Sequence, residues 1–148
     1  MKGRFGDTSG CPYVEGRLYV PRLKVDLNIS FLVDTGADYT VLMPADALVG
    51  GLDYKLLKKP IKVGGCNGTG TMYQELAWVT FPELGHRRLH LYKINLLIPG
   101  FRKDLEDTRS LLGRDILNRW QMSYNWSKKR LNFKILSSDA VVPIPRIK

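Results

Sequence analysis

The chain has 148 residues, of which 44% are hydrophobic and 25% are charged, a balance that is typical of one globular domain and excludes an intrinsically disordered protein. No apolar run is long enough to span a bilayer, so the sequence predicts no membrane segment. The formal net charge of +9 could indicate a nucleic-acid-binding protein, but the basic residues are scattered in short groups without interleaved aromatics, which favours an ordinary basic surface.

The sequence further favours a reducing environment. Its two cysteines, Cys11 and Cys66, are too few for a disulfide-stabilised scaffold. The N-terminal residues also lack the apolar stretch of a secretory signal peptide. We therefore expect a cytoplasmic protein with no membrane partner.

The first part of the chain has the pattern of β-strands. Residues 1–12 are polar and contain glycine, which predicts a flexible N-terminal segment. From Leu23 to Ile29, apolar residues alternate with polar ones, which is the period of a half-buried strand. A turn near Asp26–Asn28 is expected if the next strand pairs back, and that strand leads directly to Asp34.

The middle of the chain predicts two hairpins. Residues 60–74 are punctuated by glycines and indicate a strand, a tip near Gly64–Gly68 and a second strand. Two further strands are expected around a turn at residues 82–87. Before these hairpins, residues 43–48 can form at most one helical turn.

The last part of the chain predicts one short helix, followed by another hairpin. Leu112, Ile116 and Trp120 recur at i, i+4 and i+8, which would place them on one face of a helix. We place a single domain at residues 13–136 and a Pro-rich C-terminal extension at residues 137–148.

The segment "FLVDTGADYTVL", Phe31–Leu42, carries an acid at the end of an apolar strand. A carboxylate in such surroundings is costly unless another group compensates its charge, so Asp34 indicates a functional site. Thr35 offers a hydroxyl beside it, and Gly36 lets another backbone approach without a Cβ in the way.

Two kinds of site could compensate the charge of Asp34. A metal needs several converging ligands, but His86 and His90 fall in a predicted turn and strand and do not share a helix face, so we expect no metal and no cofactor. Two close carboxylates can instead share one proton, because both cannot ionise side by side. The Asp-Thr pairs at Asp7 and Asp107 lack the glycine and the preceding strand, so the second acid must come from a second chain in a two-fold dimer.

These motifs carry a resemblance to a known family. "FLVDTGAD", followed late in the chain by "SLLGRDIL", resembles the retropepsin-type aspartic proteases, the single-domain dimeric relatives of pepsin found in retroviruses and as cellular genes. The resemblance covers roughly Tyr13 to Ile135 and rests on the order of strand, Asp-Thr-Gly, glycine hairpin and hydrophobic-hydrophobic-Gly helix.

The resemblance implies an all-β, retropepsin-like acid protease fold: a small closed β-barrel with a flap hairpin and one short C-terminal helix, assembled as a homodimer. It also implies an aspartic endopeptidase that hydrolyses peptide bonds in a peptide or protein substrate. Water would be activated between two Asp34 carboxylates, one from each subunit.

The resemblance assigns roles residue by residue. Catalysis would use Asp34 as the acid, Thr35 as a hydrogen-bond partner of its twin across the dimer, and the backbone carbonyl of Gly36 as a substrate contact. Substrate would also be contacted by Ala37, Asp38, Gly64, Gly65 and Cys66. Structural support beneath the catalytic loop would come from Leu111, Leu112, Gly113 and Arg114, with the Arg114 guanidinium paired to the partly buried Asp38.

One departure from the family pattern, at the flap tip, and two rival functions remain open at this point. Cys66 and Asn67 stand where related flaps usually carry a small apolar residue and glycine, which leaves the substrate preference open. A non-catalytic peptide-binding module on the same fold is one rival, although it would have no need of an intact Asp34. A nucleic-acid-binding domain is the other, and a salt-dependent shift on DNA or RNA would reveal it; we expect none.

Overall fold

The computed structural model describes residues 1–65, 68–83, 85 and 87–144. The chain is mostly β, as predicted. Its strands are β1 (Arg4–Phe5), β2 (Pro12–Val20), β3 (Val25–Val33), β4 (Pro60–Gly65), β5 (Gly68–Pro82), β6 (Arg88–Pro99), β7 (Leu111–Leu112), β8 (Trp120–Asn125), β9 (Arg130–Ile135) and β10 (Ala140–Pro143). The α-helices are α1 (Pro44–Val49) and α2 (Arg114–Leu117), and short 3₁₀ turns lie at Pro21–Leu23, Tyr54–Leu56 and Lys103–Leu105.

The strands form two sheets. In the described residues, the larger sheet has eight strands and runs in the order β10-β6-β5-β2-β3-β7, with β1 added to β2 and β4 added to β5. All of its pairings are antiparallel except β3 with β7, which is parallel. The smaller sheet is the β8–β9 hairpin. Both predicted hairpins of the middle region are therefore present, as β4–β5 and β5–β6.

The larger sheet does not close through strand pairing within the described residues. Among the described residues, β10 and β7 lie at opposite ends of the strand order and do not pair with each other. Val41 forms isolated bridges to Leu97 of β6 and to Leu111 of β7. These bridges bring β6 close to β7, but they consist of one residue, so the predicted closed barrel is not confirmed.

An aromatic cluster attaches the small sheet to the large one. The ring of Trp120, at the start of β8, packs edge-on against Phe81 of β5 with the ring centres 4.7 Å apart. Its indole N–H donates a hydrogen bond of 2.7 Å to the hydroxyl of Tyr92 in β6. Phe133 of β9 also packs against Trp120, with the ring centres 5.3 Å apart. The hairpin that follows α2 is thereby fixed against the main core, which in turn fixes α2.

The turn between β2 and β3 differs from the prediction. It lies at Pro21–Lys24, where Lys24 has a φ of +54° and donates its N–H to the carbonyl of Pro21. A proline suits this first turn position because its φ is already fixed and its missing N–H is not needed. The expected turn near Asp26–Asn28 is wrong, since these residues continue β3 without interruption.

The helices also differ from the prediction. α2 contains only four residues, and Leu112 and Trp120 lie in β7 and β8 on either side of it. Leu112, Ile116 and Trp120 are all buried. Their regular spacing therefore reflects contact with the core and not a continuous helix. α1 has six residues and exceeds the single turn expected there.

Both terminal segments contribute strands to the large sheet. β1 pairs with the first residues of β2, and β10 pairs with the beginning of β6. The division into a domain at residues 13–136 with two flanking segments stays a prediction. Within the described part of the chain, none of the helices has the length and apolar character that crossing a membrane would require.

Candidate active site

Asp34 begins the loop that follows β3. Its backbone N–H donates to the carbonyl of Leu112 in β7 over 3.1 Å, which ties the start of the loop to the neighbouring strand. One carboxylate oxygen, Oδ1, accepts the N–H of Gly36 over 2.8 Å, in the local geometry that short Asx side chains favour. Asp34 is half-buried, whereas Thr35 and Gly36 are exposed. The carboxylate therefore sits at the surface with a defined orientation.

Gly113 allows the chain before α2 to cross the Asp34 loop at close range. A Cβ built on Gly113 would lie 2.3 Å from the carbonyl carbon of Tyr39, a distance that no real Cβ contact shows. This approach lets the Arg114 N–H donate to the carbonyl of Ala37 over 2.8 Å, and the Asp115 N–H to that of Asp38 over 3.2 Å. Backbone hydrogen bonds of Leu112 and Arg114 and the close approach at Gly113 thus tie this segment to the Asp34 loop, and its role in supporting a catalytic site stays a prediction.

Asp115 is a residue that the sequence reasoning did not single out. Its carboxylate accepts both the backbone N–H of Thr40, over 3.0 Å, and the Thr40 hydroxyl, over 2.8 Å. The same Thr40 hydroxyl oxygen accepts the N–H of Gly113 over 3.2 Å. Burial raises the pKa of the Asp115 carboxyl above its ordinary value, although these hydrogen bonds act in the opposite direction. The only sequence signal was its position beside Arg114 in "GRD".

Asp38 and Arg114 form the ion pair that the family resemblance implies. The side chains keep 70% and 46% of their surface exposed, respectively, so the pair lies in water and the expected partly buried carboxylate is wrong for a single chain. An exposed pair of this kind contributes about 0–1 kcal/mol to stability. Tyr39 and Asn118 flank the pair and line an open depression with it and Asp115.

The β4–β5 hairpin packs its inner face against residues that follow the Asp34 loop and against β6. The partly buried side chains of Ile61, Val63 and Met72 contact a small buried cluster. That cluster consists of Val41, Met43 and Leu97. An apolar surface therefore extends from the hairpin to the residues that directly follow the loop.

The remaining residues of the predicted site are Gly64, Gly65 and Cys66. Gly64 is exposed, with open space where a Cβ would stand, and Gly65 pairs with Gly68 across the hairpin. Cys66, predicted to contact substrate, lies outside the described residues. The structure thus brings Asp34–Asp38 together with Leu112–Arg114, and places Gly64 on the neighbouring hairpin.

Metal ligands do not converge anywhere in the described residues. No group of three or more His, Cys, Asp or Glu side chains there could hold a metal ion. The chemistry that this arrangement can perform is acid–base chemistry by a carboxylate, with backbone amides and hydroxyls close by.

Comparison with known proteins places the chain in a family. Residues 25–119, more than half of the chain, match the family model described as "gag-polyprotein putative aspartyl protease". A search of curated proteins gave no significant match. Among solved structures, a retropepsin-like aspartic protease from Rickettsia conorii is 23% identical, with a TM-score of 0.60 over 88% of this chain and 86% of that chain.

A second solved structure, the EIAV protease complexed with the inhibitor HBY-793, is also 23% identical, with a TM-score of 0.44 over 76% of this chain and 90% of that chain. The family match covers β3, the Asp34 loop, the β4–β5 hairpin and α2, and the Rickettsia structure shares the fold. The chain therefore belongs to the gag-polyprotein aspartyl protease family and has a retropepsin-like fold.

Proposed function

We propose that the protein is an aspartic endopeptidase whose active site forms between two copies of the chain. The observation that carries the proposal is the position of Asp34, a surface carboxylate oriented by the Gly36 amide at the end of a buried strand. The chain contains one Asp-Thr-Gly, so an acid pair requires the Asp34 of a second copy related by a two-fold axis.

In the proposed dimer the two Asp34 carboxyls share one proton, because two close acids cannot both ionise. The ionised Asp34 removes a proton from water while the oxygen of that water attacks the peptide carbonyl carbon. The protonated Asp34 gives its proton to the carbonyl oxygen, which avoids a free oxyanion. The resulting diol then loses a proton to the pair as the C–N bond breaks and the leaving amine is protonated, which restores the single shared proton.

The neighbouring residues would hold the substrate and the acids. Thr35 is exposed at the loop tip, where its hydroxyl can bond its counterpart in the partner subunit. The carbonyl of Gly36, together with Ala37 and Asp38, would contact the substrate backbone. The β4–β5 hairpin would cover an extended peptide that adds to it as a strand, and Gly64, Gly65 and Cys66 would contact that peptide. Cytoplasmic residence, argued from the two cysteines, is part of this proposal.

The test is cleavage of a diverse peptide library by wild-type protein and by Asp34→Asn. The asparagine can neither accept the proton of water nor share one with its twin, so we expect hydrolysis to be lost while the melting temperature is retained. Asp7→Asn is the matched control, because Asp7 also precedes a threonine but lies in the exposed N-terminal segment. Asp34→Asn activity within about tenfold of wild type would refute the proposal. Loss of cleavage with retained peptide affinity would show that binding and hydrolysis are separable.

A further inference from the structure

Glu75 of β5 is a buried acid outside the proposed catalytic site. Only 6% of its surface is exposed, and it is one of three buried polar or charged residues in the described part of the chain. The guanidinium of Arg22 binds both of its carboxylate oxygens, with Nε donating to Oε2 over 2.9 Å and Nη2 donating to Oε1. The same Nη2 also donates to the backbone carbonyl of Leu56 over 2.8 Å. One side chain thus joins three separate segments.

These segments meet at the base of the β4–β5 hairpin. Tyr73, which pairs with Pro60 of β4 and with Ile98 of β6, is the last residue of β5 to pair with β4, so the hairpin branches from the sheet here. Glu75 lies two residues beyond this branching point, on one leg of the hairpin. Leu56 lies four residues before β4, on the other leg. Arg22 belongs to the turn between β2 and β3 and therefore fixes both legs to a part of the large sheet outside the hairpin.

The outer part of the hairpin has few other supports. Residues 68–71 of β5 pair only with β4 among the described strands. Gly64 and Gly70 have open space where a Cβ would stand. The position of the hairpin relative to the Asp34 loop is therefore determined by the contacts at the base of the hairpin and by the apolar contacts of its inner face. A base held by a buried carboxylate is stiff, because moving Arg22 away would leave that charge unpaired.

We propose that Arg22 is a positioning residue that holds the β4–β5 hairpin at its working height over Asp34 through its bonds to Glu75 and Leu56. This inference rests on the proposed function, in which substrate lies between the hairpin and the Asp34 pair. Arg22 acts through the hairpin, so it governs substrate binding and leaves the chemical step at Asp34 unchanged.

The first test is hydrogen exchange of the backbone amides in Arg22→Lys. Lysine keeps the charge that neutralises Glu75, but its single ammonium cannot reproduce the two-pronged contact and also reach Leu56. We expect amides of β4 and of residues 68–72 to exchange on the order of tenfold faster, with β2 and β3 unchanged. Glu75→Gln should produce the same pattern, because its amide group presents a donor to one arm of the Arg22 fork.

Asp26→Asn is the matched control. Asp26 forms a comparable two-pronged pair with Arg17, at 2.7 and 2.8 Å, across the same β2–β3 hairpin, but this pair is exposed and joins β2 to β3. Its loss should leave exchange in β4 unchanged. Unaltered exchange of the β4–β5 hairpin in Arg22→Lys, or an equal increase throughout the large sheet, would overturn the proposal.

The second test separates binding from chemistry. With a cleavable peptide, Arg22→Lys should raise KM on the order of tenfold while kcat stays within about twofold of wild type, since only binding common to ground and transition states is lost. A fall in kcat at unchanged KM would contradict the inference. If wild-type protein cleaved no peptide, the proposed protease function would fail, while the exchange experiment would still decide whether Arg22 controls the hairpin.

Discussion

At the residue scale, the Asp115 carboxylate holds together two segments that are 75 positions apart in the sequence. It accepts the amide and the hydroxyl of Thr40 and so locks the end of the Asp34 loop onto α2. Because two of these donors meet different carboxylate oxygens, both oxygens must be acceptors. A carboxyl group satisfies this requirement in either protonation state, since both of its oxygens accept and its proton can be donated to the Thr40 hydroxyl oxygen, whereas an amide nitrogen does not accept.

Asp115→Asn should therefore destabilise the protein by about 1–3 kcal/mol, because the NH2 group of the asparagine would face another hydrogen-bond donor at a half-buried position. The loss should also depend on pH. Burial raises the pKa of Asp115 in the folded state above its value in the unfolded chain, so the folded state binds the proton more tightly. The stability gained in this way is fully present below the unfolded-state pKa and is lost as the pH rises through the folded-state pKa. The difference in unfolding free energy between wild type and Asp115→Asn should become smaller as the pH rises between these two pKa values.

Urea unfolding of both proteins at a series of acidic to neutral pH values measures this change. Asp107→Asn is the control, because Asp107 is exposed, and its difference from wild type should stay close to zero. A constant difference between wild type and Asp115→Asn over the whole series would contradict the assignment of a raised pKa to Asp115.

At the element scale, the crossing of the Asp34 loop by the chain before α2 depends on a missing side chain. Gly113→Ala should destabilise the protein by at least about 1–3 kcal/mol, since its Cβ would meet the backbone of Tyr39 and backbone cannot move aside as a side chain can. Gly70→Ala is the matched control within β5, where a Cβ meets only open space.

Thermal unfolding of the two glycine variants compares them directly. The melting temperature of Gly113→Ala should fall by several degrees, and that of Gly70→Ala should change little. Peptide cleavage by Gly113→Ala should fall as well, because the Asp34 amide is bonded to Leu112, the residue just before the glycine. Equal melting temperatures for the two variants would show that the crossing can relax without cost.

The elements that could be predicted from the sequence are those whose signal is local. The Asp34 loop and the β4–β5 hairpin could be predicted because Asp-Thr-Gly and clustered glycines determine the conformation of the adjacent backbone. The turn at Pro21–Lys24 was missed because the alternation of β3 begins before Val25 and conceals the boundary. The length of α2 was overestimated because a spacing of four residues also arises when strands flank one helical turn.

Contacts between distant residues could not be predicted from local pattern. The Arg22–Glu75 pair joins positions 53 residues apart, and neither residue stands in a recognisable motif. The Asp38–Arg114 pair was predicted only because a family resemblance linked its two motifs. Its exposure was not predicted, because burial depends on what the finished fold places around a side chain.

At the scale of the whole molecule, the proposed site requires two chains. Mixing wild type with an equal amount of Asp34→Asn and allowing full exchange should leave about a quarter of the dimers with two catalytic acids, by random pairing. Mixed dimers should be inactive, since one acid cannot act both as base and as proton donor. Total activity should then fall to about half that of the wild-type protein present.

Peptide hydrolysis measured before and after exchange gives this ratio, and labelled subunits verify that exchange is complete. A mixture of wild type with Asp7→Asn controls for dilution and handling, and its activity should not fall. Activity that tracks the wild-type content linearly after verified exchange would refute a shared site.

The outer strand β10 determines how far the large sheet can grow. The N–H of Ile144, just after β10, donates inward to the carbonyl of Arg87, just before β6, so by the alternation of an antiparallel ladder the backbone of Val141 and Pro143 faces outward. Pro143 has no amide hydrogen to offer at that edge. A strand arriving from another molecule would find a gap in the ladder, which is a common protection against runaway edge-to-edge aggregation. Self-association by simple extension of the sheet is thus disfavoured on this side, although the valines there are exposed.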